Sequence, residues 1–236
     1  WPVPVIVVAP KDRAALDAAE KSGAELTVEI AGTYRDALTS RNVVARLDRG
    51  KDNWLVISTP VTSWFTSTCE RGPGIAGFLA MARLAAKRFT DVDVMLVATA
   101  GHEIGHGGMS QFMRRGAPRP KDTIAWAHFG ASLAYREQVA KAVLSSTSLA
   151  PLVDRTFAGI PATRLTGSQA GVGEMRDVQG AEFPNFFVMA GSHRYFHTPL
   201  DTISSVDPSL LAPMATAFAE TIDGVIKGQG ATKSGR

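Results

Sequence analysis

Apolar and polar positions repeat along the chain with two periods, which predict strands and helices in alternation. Apolar residues three and four positions apart predict helices, whereas strict alternation or short continuous apolar runs predict strands. DVDVMLVATA at 91–100 is nearly continuous in apolar residues, which is typical of a strand buried on both faces of a parallel sheet. The strongest helical pattern covers 74–89, with its apolar residues on one face.

The remaining pattern completes an α/β chain. Residues 42–48 and 53–59 read as two strands joined by the turn RGKD, and residues 145–184, rich in Ser, Thr, Gly and Pro, predict loops and one short helix. Alternating strands and helices predict a three-layer α/β/α sandwich with a mixed, mostly parallel central sheet. Further strands are predicted at 3–10, 24–32, 123–129 and 185–191, and further helices at 11–23 and 208–227.

Composition adds a few limits to this picture. The chain has 236 residues, 45% hydrophobic and 20% charged, enough for one compact core. The net charge is only +3, with Lys and Arg scattered, so we expect no nucleic-acid partner. No apolar run approaches the roughly 18 residues of a membrane span, so we expect no membrane partner. The lone cysteine excludes a disulfide within the chain and a zinc ribbon.

His102, Glu103 and His106 stand in the spacing H-E-x-x-H, which in zinc proteases lies on a helix. Such a helix would here contain three glycines, each costing about 1 kcal/mol relative to Ala. It would also follow the strand 91–100 directly, and the third histidine of the longer protease pattern falls at Phe112. We therefore interpret AGHEIGHGG as a loop at the carboxyl end of a central strand, where open α/β sheets bind ligands.

On these residues the chain resembles the M28 family of zinc aminopeptidases and carboxypeptidase-like exopeptidases. GHEIGHGGM is similar to the family's A-E-E-x-G-L-x-G-S loop, with His102 in the place of the general-base Glu and Glu103 in that of the metal-binding Glu. YFHTPLDT at 195–202 is similar to the closing Y-x-H-T-x-x-D-T, whose His, here His197, binds metal. SRNVVARL and GPGIAGFLAMARLAA match in order and spacing, so the resemblance runs over roughly 41–227 and implies a zinc-exopeptidase-like fold.

The departures from the family pattern fall on its metal ligands. Pro60 and Thr62 stand where the family has its first His and its Asp. The bridging Asp falls at Cys69, with Glu70 beside it, and the next ligand Asp falls at His128. An ordinary two-zinc site cannot be assembled from these residues.

The resemblance implies instead a rebuilt site with one transition metal ion, zinc foremost. Glu103, His128 and His197 are the expected ligands, and His102 would activate water or protonate the leaving group. Each residue has a plainer alternative: Glu103 a surface carboxylate, His128 a buried polar residue with a backbone partner, and His197 a core histidine bonded to Asp201.

Four more residues complete the candidate site. Cys69 is expected as a nucleophile or metal thiolate, against the alternative of a small buried hydrophobe. His106, His193 and Tyr195 are expected at the rim, facing substrate; for Tyr195, plain packing serves equally well.

Three functions remain open from the sequence. The first is an M28-like hydrolase that cleaves an amide or related bond in a small molecule or peptide end with one metal ion. The second is a metal-free hydrolase or lyase, with Cys69 as nucleophile and His102 or His128 as base. The third is a non-catalytic protein that binds a ligand or partner in the same cleft.

The expected organisation is a remnant of a protease-associated insert at 1–40, a catalytic domain at 41–227 and a disordered tail at 228–236. The chain starts at Trp1 without a signal-like segment, which suggests a processed or truncated product. Another chain or a cleaved N-terminal fragment is therefore an expected partner, beside a small-molecule or peptide substrate. The resemblance suggests a periplasmic or secreted location.

Overall fold

The computed structural model describes residues 6, 8–29, 31–33, 35–137, 140–160, 162–166 and 173–233. The chain divides into two units, 1–39 and 40–236. Helix α1 of the first unit, Arg13–Ser22, confirms the helix expected at 11–23 and ends at Gly23 in the left-handed conformation. The strand expected at 24–32 is wrong for its described residues, which form no strand because the described residues of this unit include no neighbouring strand to pair with them. Half of the expected strand at 3–10 lies outside the described residues.

Seven strands of the second unit form one mixed sheet in the order β1-β3-β2-β4-β7-β5-β6. The four neighbours β3, β2, β4 and β7 run parallel, while β1 pairs antiparallel with β3 and β5 antiparallel with β7. The strands are β1 Val43–Leu47, β2 Trp54–Pro60, β3 Asp93–Thr99, β4 Thr123–Phe129, β5 Ala140–Leu144, β6 Ala162–Thr166 and β7 Phe186–Ala190. The strands predicted around β1 and β2 are confirmed, but they are not neighbours, because β3 lies between them.

Helices cover both faces of the sheet, as the three-layer prediction requires. Alternate residues of β2 point to opposite faces: Leu55 and Ile57 join the core on one side, and Val56 joins the core on the other. Residues of α2, α4 and α6 belong to the first core and residues of α3 and α5 to the second. These helices are α2 Thr68–Arg88, α3 Gly107–Arg115, α4 Ala150–Thr156, α5 Met175–Gly180 and α6 Leu211–Lys233.

Two parts of the chain are more regular than their composition predicts. The segment 145–184 contributes β6, α4 and α5. Strand β6 pairs with the edge of β5, and the two helices each contribute residues to one of the two cores. Helix α6 runs to Lys233 and so extends into the segment 228–236, which the sequence analysis expects as a tail. Among the described residues, none of the helices combines the length and apolar character that crossing a membrane requires.

Helix α2 packs closely on β4 because Gly77 faces it. A Cβ on Gly77 would lie 2.5 Å from Cε1 of Phe129, at the end of β4. The amino end of the same helix is held by Asp201, whose two carboxylate oxygens accept the backbone N–H groups of Cys69 and Glu70 at 2.7 and 3.0 Å. The first turn of α2 is thereby fixed above the ends of the parallel strands.

Candidate active site

A cleft opens at the carboxyl ends of the parallel strands, the edge at which open α/β sheets place their ligands. Its cavity volume is about 230 Å³. The loop after β3 is not helical: His102 and Glu103 precede α3, which begins at Gly107, so the interpretation of this stretch as a loop is confirmed. The cleft is lined by Pro60, Arg71, His102, His128, Gly130, Ala131, Gly173, Val188, Ala190, Gly191, Phe196 and His197.

Two carboxylates and one guanidinium form the centre of a buried charge network. Nη2 of Arg71 lies 2.6 Å from Oε1 of Glu103 and 2.9 Å from Oε1 of Glu70. The side chains of Glu70, Arg71 and Glu103 are 0%, 6% and 7% exposed, so these charges interact with little screening by water. Nε of Arg71 donates to the carbonyl oxygen of Thr62 at 2.8 Å, which fixes the plane of the guanidinium.

The network extends to His197 and to the loop after β2. Nε2 of His197 lies 3.1 Å from Oε1 of Glu70, while the imidazole is 40% exposed at the mouth of the cleft. The hydroxyl groups of Ser63 and Thr62 donate to the second oxygens of Glu70 and Glu103. Nη1 of Arg71 differs from these atoms, because it is buried and has no hydrogen-bond partner among the residues that the structure describes.

Glu70, Glu103 and His197 each place one ligand atom within 4.8 Å of the others. Two carboxylates and an imidazole are suitable donor types for zinc. However, Nη2 of Arg71 already contacts an oxygen of each carboxylate, and Pro60 offers no ligand at the end of β2. A metal ion therefore does not fit these residues as they are arranged. His128, expected as a ligand beside Glu103 and His197, does not belong to this group.

His102 and Glu174 form a second polar unit at the cleft. Nδ1 of His102 lies 3.2 Å from Oε1 of Glu174, and the hydroxyl of Thr99 donates to the Glu174 carboxylate at 2.7 Å. Burial is the largest influence on Glu174 and opposes its ionisation. The hydrogen bond from His102, the nearby His128 and the hydrogen bond from Thr99 outweigh burial and hold the pKa of Glu174 below its usual range. Glu174 stays ionised and orients His102, whose Nε2 is left for the cleft.

His128 lies at the end of β4, 3% exposed, and contacts a serine rather than the carboxylates. Its Nδ1 lies 2.8 Å from the hydroxyl oxygen of Ser58, which also accepts from the indole N–H of Trp126 at 2.8 Å. Burial lowers the pKa of His128 from 6.5 to about 4. The imidazole is therefore neutral at pH 7 and forms part of the cleft wall without adding charge.

Cys69 lies away from the carboxylate network, in a group with His193 and Asp201 whose ligand atoms are within 4.8 Å of one another. All three residues are buried, and both oxygens of Asp201 accept backbone N–H groups of α2. Burial, with a smaller contribution from the Asp201 charge, raises the pKa of Cys69 to about 12. The thiol is thus protonated at neutral pH, which disfavours a nucleophilic or thiolate role.

The residues expected at the rim occupy different environments. The ring of His106 lies 5.0 Å from that of His102, at the N-cap of α3. The His193 side chain is fully buried against Asp201, and Arg194 lies over the ring of Tyr195 at 5.0 Å. Neither His193 nor Tyr195 is among the residues lining the cleft.

The residues that sequence reasoning missed are Arg71 and Glu174, and it placed Glu70 only beside the bridging position. Glu70 and Arg71 form a charged pair in the first turn of α2, just before its apolar run at 74–82, a signal that could have identified them. No local pattern identifies Glu174, because it follows a Gly-rich segment. It lies 72 positions along the chain from His102, and only the tertiary fold brings the two residues together.

Solved structures identify the fold that holds this cleft. Comparison with protein-family models and with curated proteins gives no match for the chain. An aminopeptidase from Aneurinibacillus sp. strain AM-1 superposes with a TM-score of 0.68 and 18% identity, covering 90% of this chain and 55% of its own. A zinc aminopeptidase from Bacillus subtilis gives a TM-score of 0.64 and 13% identity, covering 77% and 49% of the two chains.

A glutaminyl cyclase from Porphyromonas gingivalis also superposes, with a TM-score of 0.62, 15% identity and 92% and 91% of the two chains covered. The chain thus spans about half the length of the aminopeptidases it matches and nearly all of this cyclase. At these identities the likeness shows the α/β fold and leaves the reaction to be argued from the site.

Proposed function

We propose that this chain is a hydrolase that cleaves an amide or related bond in a small molecule or a peptide end. The observation that carries the proposal is the pairing of His102 with the buried Glu174 at 3.2 Å, on a cleft that Arg71 also lines. An imidazole oriented by a carboxylate is suited to proton transfer, and an unpartnered guanidinium nitrogen is suited to binding a carbonyl oxygen. The aminopeptidase neighbours support hydrolysis at the level of fold.

The reaction follows from the roles of these groups. Nε2 of His102 takes a proton from water while the water oxygen bonds to the carbonyl carbon of the substrate. The carbonyl oxygen gains the negative charge and accepts a hydrogen bond from Nη1 of Arg71. The bond from carbon to the leaving nitrogen then breaks, and the amine takes the proton from His102. Glu174 keeps its charge throughout and stabilises the imidazolium.

The cleft also indicates the size of the substrate. A cavity of about 230 Å³, walled partly by Val188, Ala190 and Phe196, suits a small acyl group or a single side chain. The neutral His128 offers a hydrogen bond without repelling a cationic or neutral group. A small molecule or a peptide end fits these walls, and a periplasmic or secreted location stays a prediction.

A metal-dependent form of the same hydrolase has one observation in its favour, the group of Glu70, Glu103 and His197 within 4.8 Å. Two carboxylates and an imidazole are the donor types that would hold a zinc ion, whose chemistry would be that of a Lewis acid. This form requires the guanidinium to leave the two carboxylates that it contacts.

The test is hydrolysis of a panel of aminoacyl amides and N-acyl amino acids by the wild type and by His102→Asn and Glu174→Gln. We expect turnover of at least one amide class, reduced about 100-fold or more in both variants. His106→Asn, which changes the neighbouring imidazole, is the matched control and should keep the activity within about threefold. Turnover that survives His102→Asn would refute the proposed base, and a ligand that binds without turnover would favour the non-catalytic alternative.

A further inference from the structure

The guanidinium of Arg71 lies between the two carboxylates on which a metal ion would have to depend. Its Nη2 is 2.6 Å from Glu103 and 2.9 Å from Glu70. Zinc binds carboxylate oxygens at about 2.0–2.2 Å. An ion in contact with both oxygens would therefore occupy space that Nη2 already fills, and its two positive charges would face the guanidinium with little water between them.

Arg71 is held in this position by the fold. Its side chain is only 6% exposed, and its Nε donates to the Thr62 carbonyl at 2.8 Å. It stands in the first turn of α2, which Asp201 fixes through two backbone hydrogen bonds. A surface arginine could swing into solvent, but moving Arg71 would break three hydrogen-bonded contacts and leave two buried carboxylates uncompensated.

Hydrogen bonds also hold the residues around the Arg71 guanidinium in place. The backbone N–H of His102 donates to the Thr62 hydroxyl at 3.1 Å, and that hydroxyl donates to Glu103 at 3.3 Å. The loop after β2 therefore ties Arg71, Glu103 and the proposed base into one hydrogen-bonded unit. Pro60 brings no ligand to this edge of the sheet.

We propose that Arg71 is the resident cation of this site, that it takes the place of a metal ion, and that the cleft consequently works without one. The guanidinium neutralises Glu70 and Glu103 and keeps Nη1, buried and unpartnered among the described residues, for an oxygen atom of the ligand. The catalytic meaning of this inference rests on the proposed hydrolase. Its test does not, because the test measures metal binding and needs no turnover.

The experiment is zinc titration of the untagged protein by calorimetry, with metal content measured by mass spectrometry after desalting. We expect no stoichiometric zinc on the wild type. In Arg71→Ala, Glu70, Glu103 and His197 are freed, so we expect one tight zinc ion per chain, bound at least about a hundredfold more tightly than by the wild type. The double variant Arg71→Ala with Glu103→Gln should lose that ion again.

Arg88→Ala is the matched control, since Arg88 pairs with Asp223 on the surface and its loss should create no zinc site. Arg71→Met keeps the aliphatic bulk and serves if Arg71→Ala does not fold. Stoichiometric zinc on the wild type that Glu103→Gln removes would overturn the inference, as would a folded Arg71 variant that gains no zinc. An inactive protein that follows the expected zinc pattern would leave the inference standing and refute the hydrolase.

Discussion

At the scale of single residues, the main feature of the site is a group of three charged side chains that are buried together. Glu70, Arg71 and Glu103 are almost wholly removed from water, yet each has an oppositely charged partner within 3 Å. Pairs of this kind contribute little beyond an apolar replacement of equal volume, but removing one partner is costly. The network therefore constrains which substitutions the site tolerates.

Single substitutions in this network should destabilise the protein, and the effects should not add. We expect Arg71→Met to cost about 3–5 kcal/mol, because two buried carboxylates would then face each other. Glu103→Gln should recover about 1–3 kcal/mol of that loss in the double variant. Urea unfolding of the four proteins at pH 7 measures the coupling.

The surface pair Arg88 and Asp223 is the control for this cycle, with side chains 35% and 22% exposed. The coupling free energy between Arg88→Met and Asp223→Asn should stay below about 1 kcal/mol. Additive effects for Arg71 and Glu103 would contradict the described contacts.

Because His128 is buried, we expect the free energy of unfolding to fall in mild acid. Its pKa is 6.5 when exposed and about 4 in the fold, so between these values the unfolded chain binds a proton that the folded chain does not. The stability is fully present above pH 6.5 and is lost as the pH falls through 4, by about 3 kcal/mol over the whole window.

Urea unfolding at pH 7.0 and 4.5 checks this expectation, with His128→Gln as the comparison. The variant should lose less stability than the wild type between the two pH values, whatever its stability at pH 7. Equal losses in both proteins would mean that His128 is protonated in the fold.

The extent to which this site could be read from the sequence differs from residue to residue. Glu103 and His102 were identified because they follow a predicted buried strand, and His102 does line the cleft. Arg71 and Glu174 contact these residues across 32 and 72 positions of the chain, and no local pattern reports such distances. Cys69 and Glu70 are neighbours in α2, and only the direction of their side chains decides which one meets Arg71.

At the scale of elements, α2 determines the geometry of the site because it carries Glu70 and Arg71 and packs closely on β4. Gly77 allows this approach, since any Cβ would meet the ring of Phe129. Gly72 lies in the same helix but is exposed, and a Cβ added there would face open space, with no neighbouring atom within 4 Å. The two glycines thus form a natural pair for substitution.

Gly77→Ala should destabilise the protein by about 1–3 kcal/mol, because α2 or Phe129 must move to admit the methyl group. Gly72→Ala should be neutral or stabilising by up to about 1 kcal/mol, because alanine favours the helix. Thermal and urea unfolding of the two variants measures both effects. A destabilising Gly72→Ala or a neutral Gly77→Ala would contradict the close packing of α2 on the sheet.

At the scale of the whole molecule, hydrophobic periodicity identified the strands that are buried on both faces and the two long helices. It did not identify β5 and β6, which contain polar and small residues. β5 forms a strand because β7 offers it an edge, and β6 because β5 offers the next edge. It also placed a strand at 24–32, where the described residues of the first unit offer no partner. Among the predicted strands, β2, β3, β4 and β7 are almost wholly buried, whereas the predicted β1 and α1 are largely exposed.

The chain shares its α/β fold with an aminopeptidase and a zinc aminopeptidase, and a buried network of Glu70, Arg71 and Glu103 lies at the cleft. The proposed cation of this site is the buried Arg71. A crystal structure of the wild type grown with zinc, with anomalous data collected at the zinc edge, tests this proposal most directly. We expect no anomalous peak between Glu70 and Glu103, and we expect the Arg71 guanidinium to contact both carboxylates. A zinc peak bonded to these carboxylates and His197, with Arg71 turned away, would contradict it.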